Sequence, residues 1–292
     1  MSVPPHAPSP VGLRRGLAWG AVGVVAFSAT LPATRLAVAA LDPVFVGLGR
    51  AVVAAALAAV LLLMTRSPLP HRSLWPRLAV VALGVVVGFP LFTAWAMRHV
   101  PASHGAVVVG LLPLATAVAG AALAHERPSR RFWACAVAGS AVVVGFALWK
   151  GGGALHVADL LLVGAVIAAA IGYAEGGRLA RQMGGWQVIS WALVLAAPFL
   201  AIPTWRAAGG LADAPWAAWA GFAYVAVVSA YVGFFAWYKG LAEGGIAAVG
   251  QLQLLQPFLT IFLSALLLGE ALDPATFVAA GLVILAIAIG RS

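Results

Sequence analysis

Charge is scarce in this chain. Only 9% of its 292 residues are Asp, Glu, Lys or Arg, against about 25% in a soluble domain. So few charges cannot cover a water-facing surface. With 63% hydrophobic residues and a mean hydropathy of +1.04, lipid is the expected solvent. Cysteine is almost missing too. Cys135 is the single one, which excludes an intrachain disulfide and a cysteine metal cluster. It lies in an apolar run and is expected to pack as a small apolar side chain. No Asp or Glu stands at the centre of a long apolar run, where proton-driven carriers usually hold one. No GxxxxGK[ST] phosphate loop is present, so ATP drive from this chain is not expected. No His, Cys and Asp grouping suits a metal, and no Ser-His-Asp set can be recognised. The chain is therefore expected to be no enzyme and to need no cofactor or metal.

Positive charge is in excess, at +9. Nucleic acid would explain that only with a basic patch interleaved with stacking aromatics, which is absent outside the apolar runs. Lys and Arg gathered in cytoplasmic loops explain it better.

Ten runs are long enough to cross a bilayer: 16–38, 44–64, 76–97, 101–124, 131–149, 158–179, 186–204, 215–238, 245–268 and 274–290. The sequence predicts an all-α integral membrane protein with ten transmembrane helices. Residues 1–13 are Pro-rich and polar and are expected to be a disordered tail. Arg14 and Arg15 before an apolar run imitate a signal peptide. The run continues too far and lacks a small-residue cleavage site, so it reads as a retained first helix. Asp42-Pro43, Pro128-Ser129 and Asp273-Pro274 each introduce a run, with Asp or Ser suited to cap it and Pro to its first turn. An even number of spans puts both termini on one side. Placing them in the cytoplasm assigns twelve Lys and Arg to the inside and five to the outside.

The chain repeats itself. Val109–Glu126 laid over Gln253–Glu270 matches Leu111/Leu255, Pro113/Pro257, Thr116/Thr260, Ala121/Ala265, Leu123/Leu267 and Glu126/Glu270, an offset of 144. Arg35-Leu36-Ala37 matches Arg178-Leu179-Ala180 at an offset of 143. Two halves follow, 14–149 and 158–290, joined by a linker at 150–157 that holds Gly151-Gly152-Gly153. Five spans per half is odd, so the halves must lie inverted, a plan typical of alternating-access carriers.

Several residues are candidates for a solute cavity. Gln253, Gln256 and Thr260 share one helix face, and Pro257 frees a carbonyl beside Gln256. Amides are costly in lipid, so this face belongs inside the protein. It serves either as a polar cavity wall or as hydrogen bonding between packed helices. Gln251 points elsewhere and is expected near the membrane surface. Phe27 and Thr30 lie in the first run, with Pro32 as a kink. Phe92 and Trp95 lie in the third run, Tyr173 in the sixth, Tyr231 and Trp237 in the eighth. Aromatic rings make flat walls for a ring-bearing solute, although Trp and Tyr also gather at membrane interfaces. His104 is a candidate for coupling, or a plain solvated side chain. Arg50 lies inside a run, where a charge must face the interior or reach outward, and it can receive a carboxylate. Glu175 and Arg178 form a local ion pair on the simplest reading. Glu126 and Glu270 close equivalent turns and are expected to hold backbone donors there.

Pro113 with His125-Glu126-Arg127-Pro128, and Pro257 with Gly269-Glu270-Ala271-Leu272, resemble the span-4 and span-9 pattern of the drug/metabolite transporter (DMT) superfamily, in its EamA branch. His125 stands where that family usually has Gly. Arg50 in GLGRAVVAA also resembles the family, and the likeness covers about residues 14–290. Within the branch the chain is most similar to bacterial YddG-type exporters of aromatic amino acids. The resemblance implies a central cavity lined by spans 1, 3, 4, 6, 8 and 9, with 5 and 10 peripheral. It also implies a monomer of the bacterial cell inner membrane. That protein would export aromatic and other neutral amino acids by alternating access, with facilitation favoured over proton coupling. Export of drugs or other metabolites is the rival reading, and a polytopic membrane enzyme the rival outside transport.

Overall fold

The computed structural model describes residues 10–124, 129–150 and 157–272, with eight further positions between 274 and 289. Those residues are almost wholly helical, and no strand occurs among them. This is what lipid demands, because a helix satisfies its own backbone groups where no water can. The long helices are α1 (Pro10–Val38), α2 (Pro43–Met64), α3 (Arg72–Ala96), α4 (Ala102–Leu123), α5 (Arg130–Lys150), α6 (Val157–Met183), α7 (Gly185–Arg206), α8 (Trp216–Gly244) and α9 (Ile246–Leu268). All except α5 are long and apolar enough to cross a membrane, and α5 carries a shorter apolar stretch, Trp133–Val142. The tenth expected run, the Gly151–Gly153 linker and Glu126 lie largely or wholly outside the described residues. The first helix begins at Pro10, so residues 10–13 continue it rather than belong to a disordered tail.

The connections are short and chemically explained. Asp42 Oδ1 accepts from the amides of Val44 (2.7 Å) and Phe45 (3.4 Å), with Pro43 at the first position of α2. Gly184 and Gly245 each join two helices through a left-handed φ of 91° and 86°, which a side chain would resist.

Prolines interrupt four helices at the depth of the core. Pro32 has no N–H for the carbonyl of Ser28, four residues earlier, and α1 breaks at Ala29. That carbonyl is instead taken by the hydroxyl of Thr260, at 2.7 Å. Pro257 likewise leaves Gln253 without its helical donor, and residues Gln251–Leu255 tighten into a 3₁₀ turn. Helix α4 breaks at Gly110-Leu111, just before Pro113. In α3 the segment before Pro90, Ala82–Gly88, widens into a π-helix. Helix α8 carries a second π-helix at Val225–Val232, without a proline. The two wide segments stand at corresponding places: the pair Gly88-Phe89 straddles the end of one and Gly233-Phe234 follows the other, an offset of 145.

The packing follows the same correspondence. Helix α1 lies against α8 and α3 against α6, while α2 meets α7 and α4 meets α9. The α1–α8 contact is built from Gly16 and Gly20 facing Gly240 and Gly244. A Cβ on Gly240 would sit 2.7 Å from the Gly20 amide nitrogen, and one on Gly16 would collide with the Gly244 backbone. Small residues four apart let backbones touch, which drives helix association where burial from water cannot.

Candidate functional site

Two charged clasps mark the ends of the bundle. At one end Glu270, just past α9, accepts from the amides of Ala102 (3.0 Å) and Ser103 (3.1 Å), the first two of α4. An anion suits a helix N-terminus, whose leading amides have no partner. The turn that Glu270 closes is therefore tied to a different helix from its own. Arg35 donates to the carbonyls of Met97 (2.9 Å) and Val100 at the end of α3, and lies 3.8 Å from Glu270. His104 is not a lone side chain there: its Nε2 lies 2.6 Å from Asp159 Oδ1 in the first turn of α6. At the opposite end Glu175 bonds both Arg77 and Arg178, the latter at 2.9 Å. The local Glu175–Arg178 pair is present, and Arg77 extends it to α3.

Between the clasps lies a cavity lined by Phe27, Thr30, Arg50, Val85, Phe89, Tyr173, Ser229, Phe234 and Gln256. It offers about 10 Å³ to the centre of a water molecule, room for roughly one water. Its wall is built from corresponding positions of the two halves. Thr30 and Tyr173 share the 143 offset, Val85 and Ser229 the 144 offset, and Phe89 and Phe234 the 145 offset. The correspondence breaks in one direction. Ser229 answers Val85, Gln256 answers Leu112, and Arg50 has no cationic counterpart. The cavity thus carries a polar set of side chains and an apolar, aromatic set.

The polar set is strongly buried. Arg50 is 3% exposed and donates from Nη2 to Ser229 Oγ at 2.7 Å. The Ser229 hydroxyl also meets Thr30 Oγ1 at 2.8 Å. Arg50 Nε and Gln256 Oε1 are buried without a hydrogen-bond partner. Leaving such a group unmet costs about 1–3 kcal/mol, more for a charged one. No carboxylate lies among the residues lining the cavity. Four rings pack together at and behind the wall, Phe27 and Tyr173 stacked and the other pairs tilted or edge-on. Phe27 lies 5.0 Å from Phe234 and 6.4 Å from Tyr173, and Trp237 packs 5.3 Å from Tyr173.

Of the residues singled out from sequence, Phe27, Thr30, Arg50, Tyr173 and Gln256 meet at this cavity. The others stand elsewhere. Trp237 is one layer behind, its indole nitrogen buried and unmet. Gln253 is buried beside Thr116, 3.4 Å from its hydroxyl, and Thr260 holds Ser28. Tyr231 faces α7, its hydroxyl 2.9 Å from that of Ser190. Phe92 packs on α6 at Gly164. Trp95 is 41% exposed on the outer face of the bundle, and His104 belongs to the clasp. Gln251 is buried rather than superficial. Val85, Phe89, Ser229 and Phe234 complete the wall without having been marked. The repeated Gly-Phe pair is the sequence signal that points to two of them.

Fold and site together define a multi-pass membrane protein with a polar cavity at mid-depth. Known proteins agree with that class. The EamA-like transporter family matches residues 14–148 and again residues 156–290. The chain belongs to this family of membrane transporters, so a small-molecule substrate and the lipid bilayer are its partners. "Uncharacterized transporter YdeK" of Bacillus subtilis is 47% identical over 93% of this chain and 95% of its own. "Probable terminal-alkyne amino-acid exporter" of Streptantibioticus cattleyicolor is 26% identical over 89% of this chain and 87% of its own. A solved crystal structure with 19% identity superposes over 94% of this chain and 95% of its own with a TM-score of 0.71, a likeness of fold.

Proposed function

We propose that this chain exports aromatic and other neutral amino acids across the bacterial inner membrane by alternating access. In this reading ten spans form two inverted five-helix repeats, 14–149 and 158–290, linked by 150–157, with both termini cytoplasmic. The protein works as a monomer, without catalysis or cofactor, and solute moves down its gradient.

One observation carries the reading: a cavity walled by aromatic rings also holds a buried donor, Arg50 Nε, and a buried acceptor, Gln256 Oε1, that no other group of the described chain meets. Arg50 and Ser229 suit a carboxylate, since a guanidinium edge beside a hydroxyl matches its two oxygens. The Gln256 carbonyl suits an ammonium hydrogen. Phe89, Phe234, Phe27 and Tyr173 suit an apolar or aromatic side chain. The distant relative named as an amino-acid exporter points to the same solute class. The cavity is far smaller than the roughly 300 Å³ that a bound small molecule needs. In this reading the cavity is too closed to hold the solute, and binding requires one clasp and its neighbouring wall to open.

The test is flux from proteoliposomes loaded with labelled phenylalanine, with a labelled neutral drug for comparison. Saturable phenylalanine flux above that of protein-free liposomes, persisting without a pH gradient, is expected. Flux equal to protein-free liposomes sinks the amino-acid reading, and faster drug flux replaces it.

A further inference from the structure

The charge of the cavity is unbalanced. Arg50 is a buried cation whose hydrogen-bond partner is a neutral hydroxyl, and its Nε has none. The acids nearest in the fold are engaged elsewhere: Glu175 holds Arg77 and Arg178, Glu270 caps α4, and Asp159 meets His104. The remaining lining is neutral. A carboxylate entering beside Arg50 neutralises the site. An ammonium entering with it adds a second cation to a low-dielectric pocket that offers an amide dipole and no anion. Losing water then costs the ammonium more than one neutral hydrogen bond returns.

We propose that the carboxylate is the group this cavity selects, that an amino group is tolerated only at a cost, and that small monocarboxylate anions with an apolar or aromatic tail and no amino group are bound more tightly than the amino acids. The proposal rests on the reading of this cavity as the solute site, and not on the solute being an amino acid. Arg50 is its specificity-determining residue, held in place by Ser229. An amine lacking the carboxylate meets a like charge at the same point and is rejected.

The experiment is solute counterflow in proteoliposomes of the full-length protein. Labelled hydrocinnamate (phenylalanine without its amino group) and labelled phenylalanine are run in parallel, with phenethylamine as competitor. Hydrocinnamate is expected to half-saturate at about tenfold lower concentration than phenylalanine, a difference that one unmatched charge readily supplies. Phenethylamine is expected not to compete. Hydrocinnamate flux without phenylalanine flux supports the anion site and removes the amino-acid reading. Phenylalanine flux without hydrocinnamate flux, or competition by phenethylamine, overturns the anion site and leaves the amino-acid reading standing. Flux of neither solute overturns both. Arg50→Gln in folded protein, checked by its thermal transition, is expected to abolish saturable hydrocinnamate flux, and retention of that flux counts against the proposal. The wild-type competition series decides the matter if the variant does not fold.

Discussion

The hydroxyl of Thr260 donates to the carbonyl oxygen of Ser28 across 2.7 Å, 232 residues away in the chain. That carbonyl is the one Pro32 leaves without an amide, so a defect in α1 is repaired by α9. Thr260→Val removes the donor, keeps the shape and strands a buried acceptor. It is expected to lower stability by about 1–3 kcal/mol, read as a fall in thermal transition in detergent. Thr260→Ser should keep most of it. Equal transitions for the Val and Ser variants would show that the bond contributes nothing.

Gln256 and Ser229 stand where the other half has Leu112 and Val85. Replacing them by those residues leaves Arg50 and Thr30 as the polar groups of the lining, with Tyr173's hydroxyl. Ser229→Val is expected to raise the half-saturating concentration of a carboxylate solute about tenfold, the worth of one hydrogen bond to a charged group, whereas Gln256→Leu should weaken only solutes that carry an ammonium. The maximal rate should change less. Unaltered transport by both variants, with both folded, would take the polar set out of the site.

Glu270 serves three groups at once: two leading amides of α4 and the guanidinium of Arg35. Glu270→Ala uncaps α4 and is expected to cost about 1–2 kcal/mol. Glu270→Gln keeps an acceptor and should fall between that variant and wild type. A thermal series on the three proteins checks the ranking, and an unchanged transition for the Ala variant contradicts it.

Gly240 packs against the Gly20 amide, so no side chain fits without moving a helix. Gly240→Leu is expected to destabilise by at least about 1–3 kcal/mol, the usual cost of overpacking, and to reduce the yield of monodisperse protein. A wild-type yield and elution profile would refute the close contact of α1 and α8.

Trp95 faces outward, away from the cavity. Trp95→Ala is therefore expected to leave solute affinity unchanged, whereas Phe89→Ala should alter it by enlarging the apolar part of the cavity. Matching shifts in both variants would place Trp95 at the site after all.

Eight of the ten expected spans, the internal correspondence and the burial of Arg50 were legible because they depend on local pattern and on the cost of charge in lipid. Gln256 was legible for the same reason. Ser229 was not, since a serine in an apolar helix costs little and gives no warning until Arg50 is found beside it. Asp159 could not be matched to His104 from spacing, because 55 residues and a helix-to-helix contact separate them. Trp95 and Phe92 looked like wall by composition, but the π-helical segment of α3 sets which side of the helix beyond it faces inward, and periodicity does not reveal such a segment.

Those wide segments have a mechanical consequence. A π-turn holds one residue more than an α-turn, and when it moves along a helix by one position the stretch it passes rotates by roughly 100°. Phe89 and Phe234 stand within two residues of Ala82–Gly88 and Val225–Val232. Each ring is thus mounted on a swivel that can turn it relative to the cavity while the rest of its helix stays packed. With one such segment in each half, the two walls of the cavity share the same means of moving, whichever of them moves first.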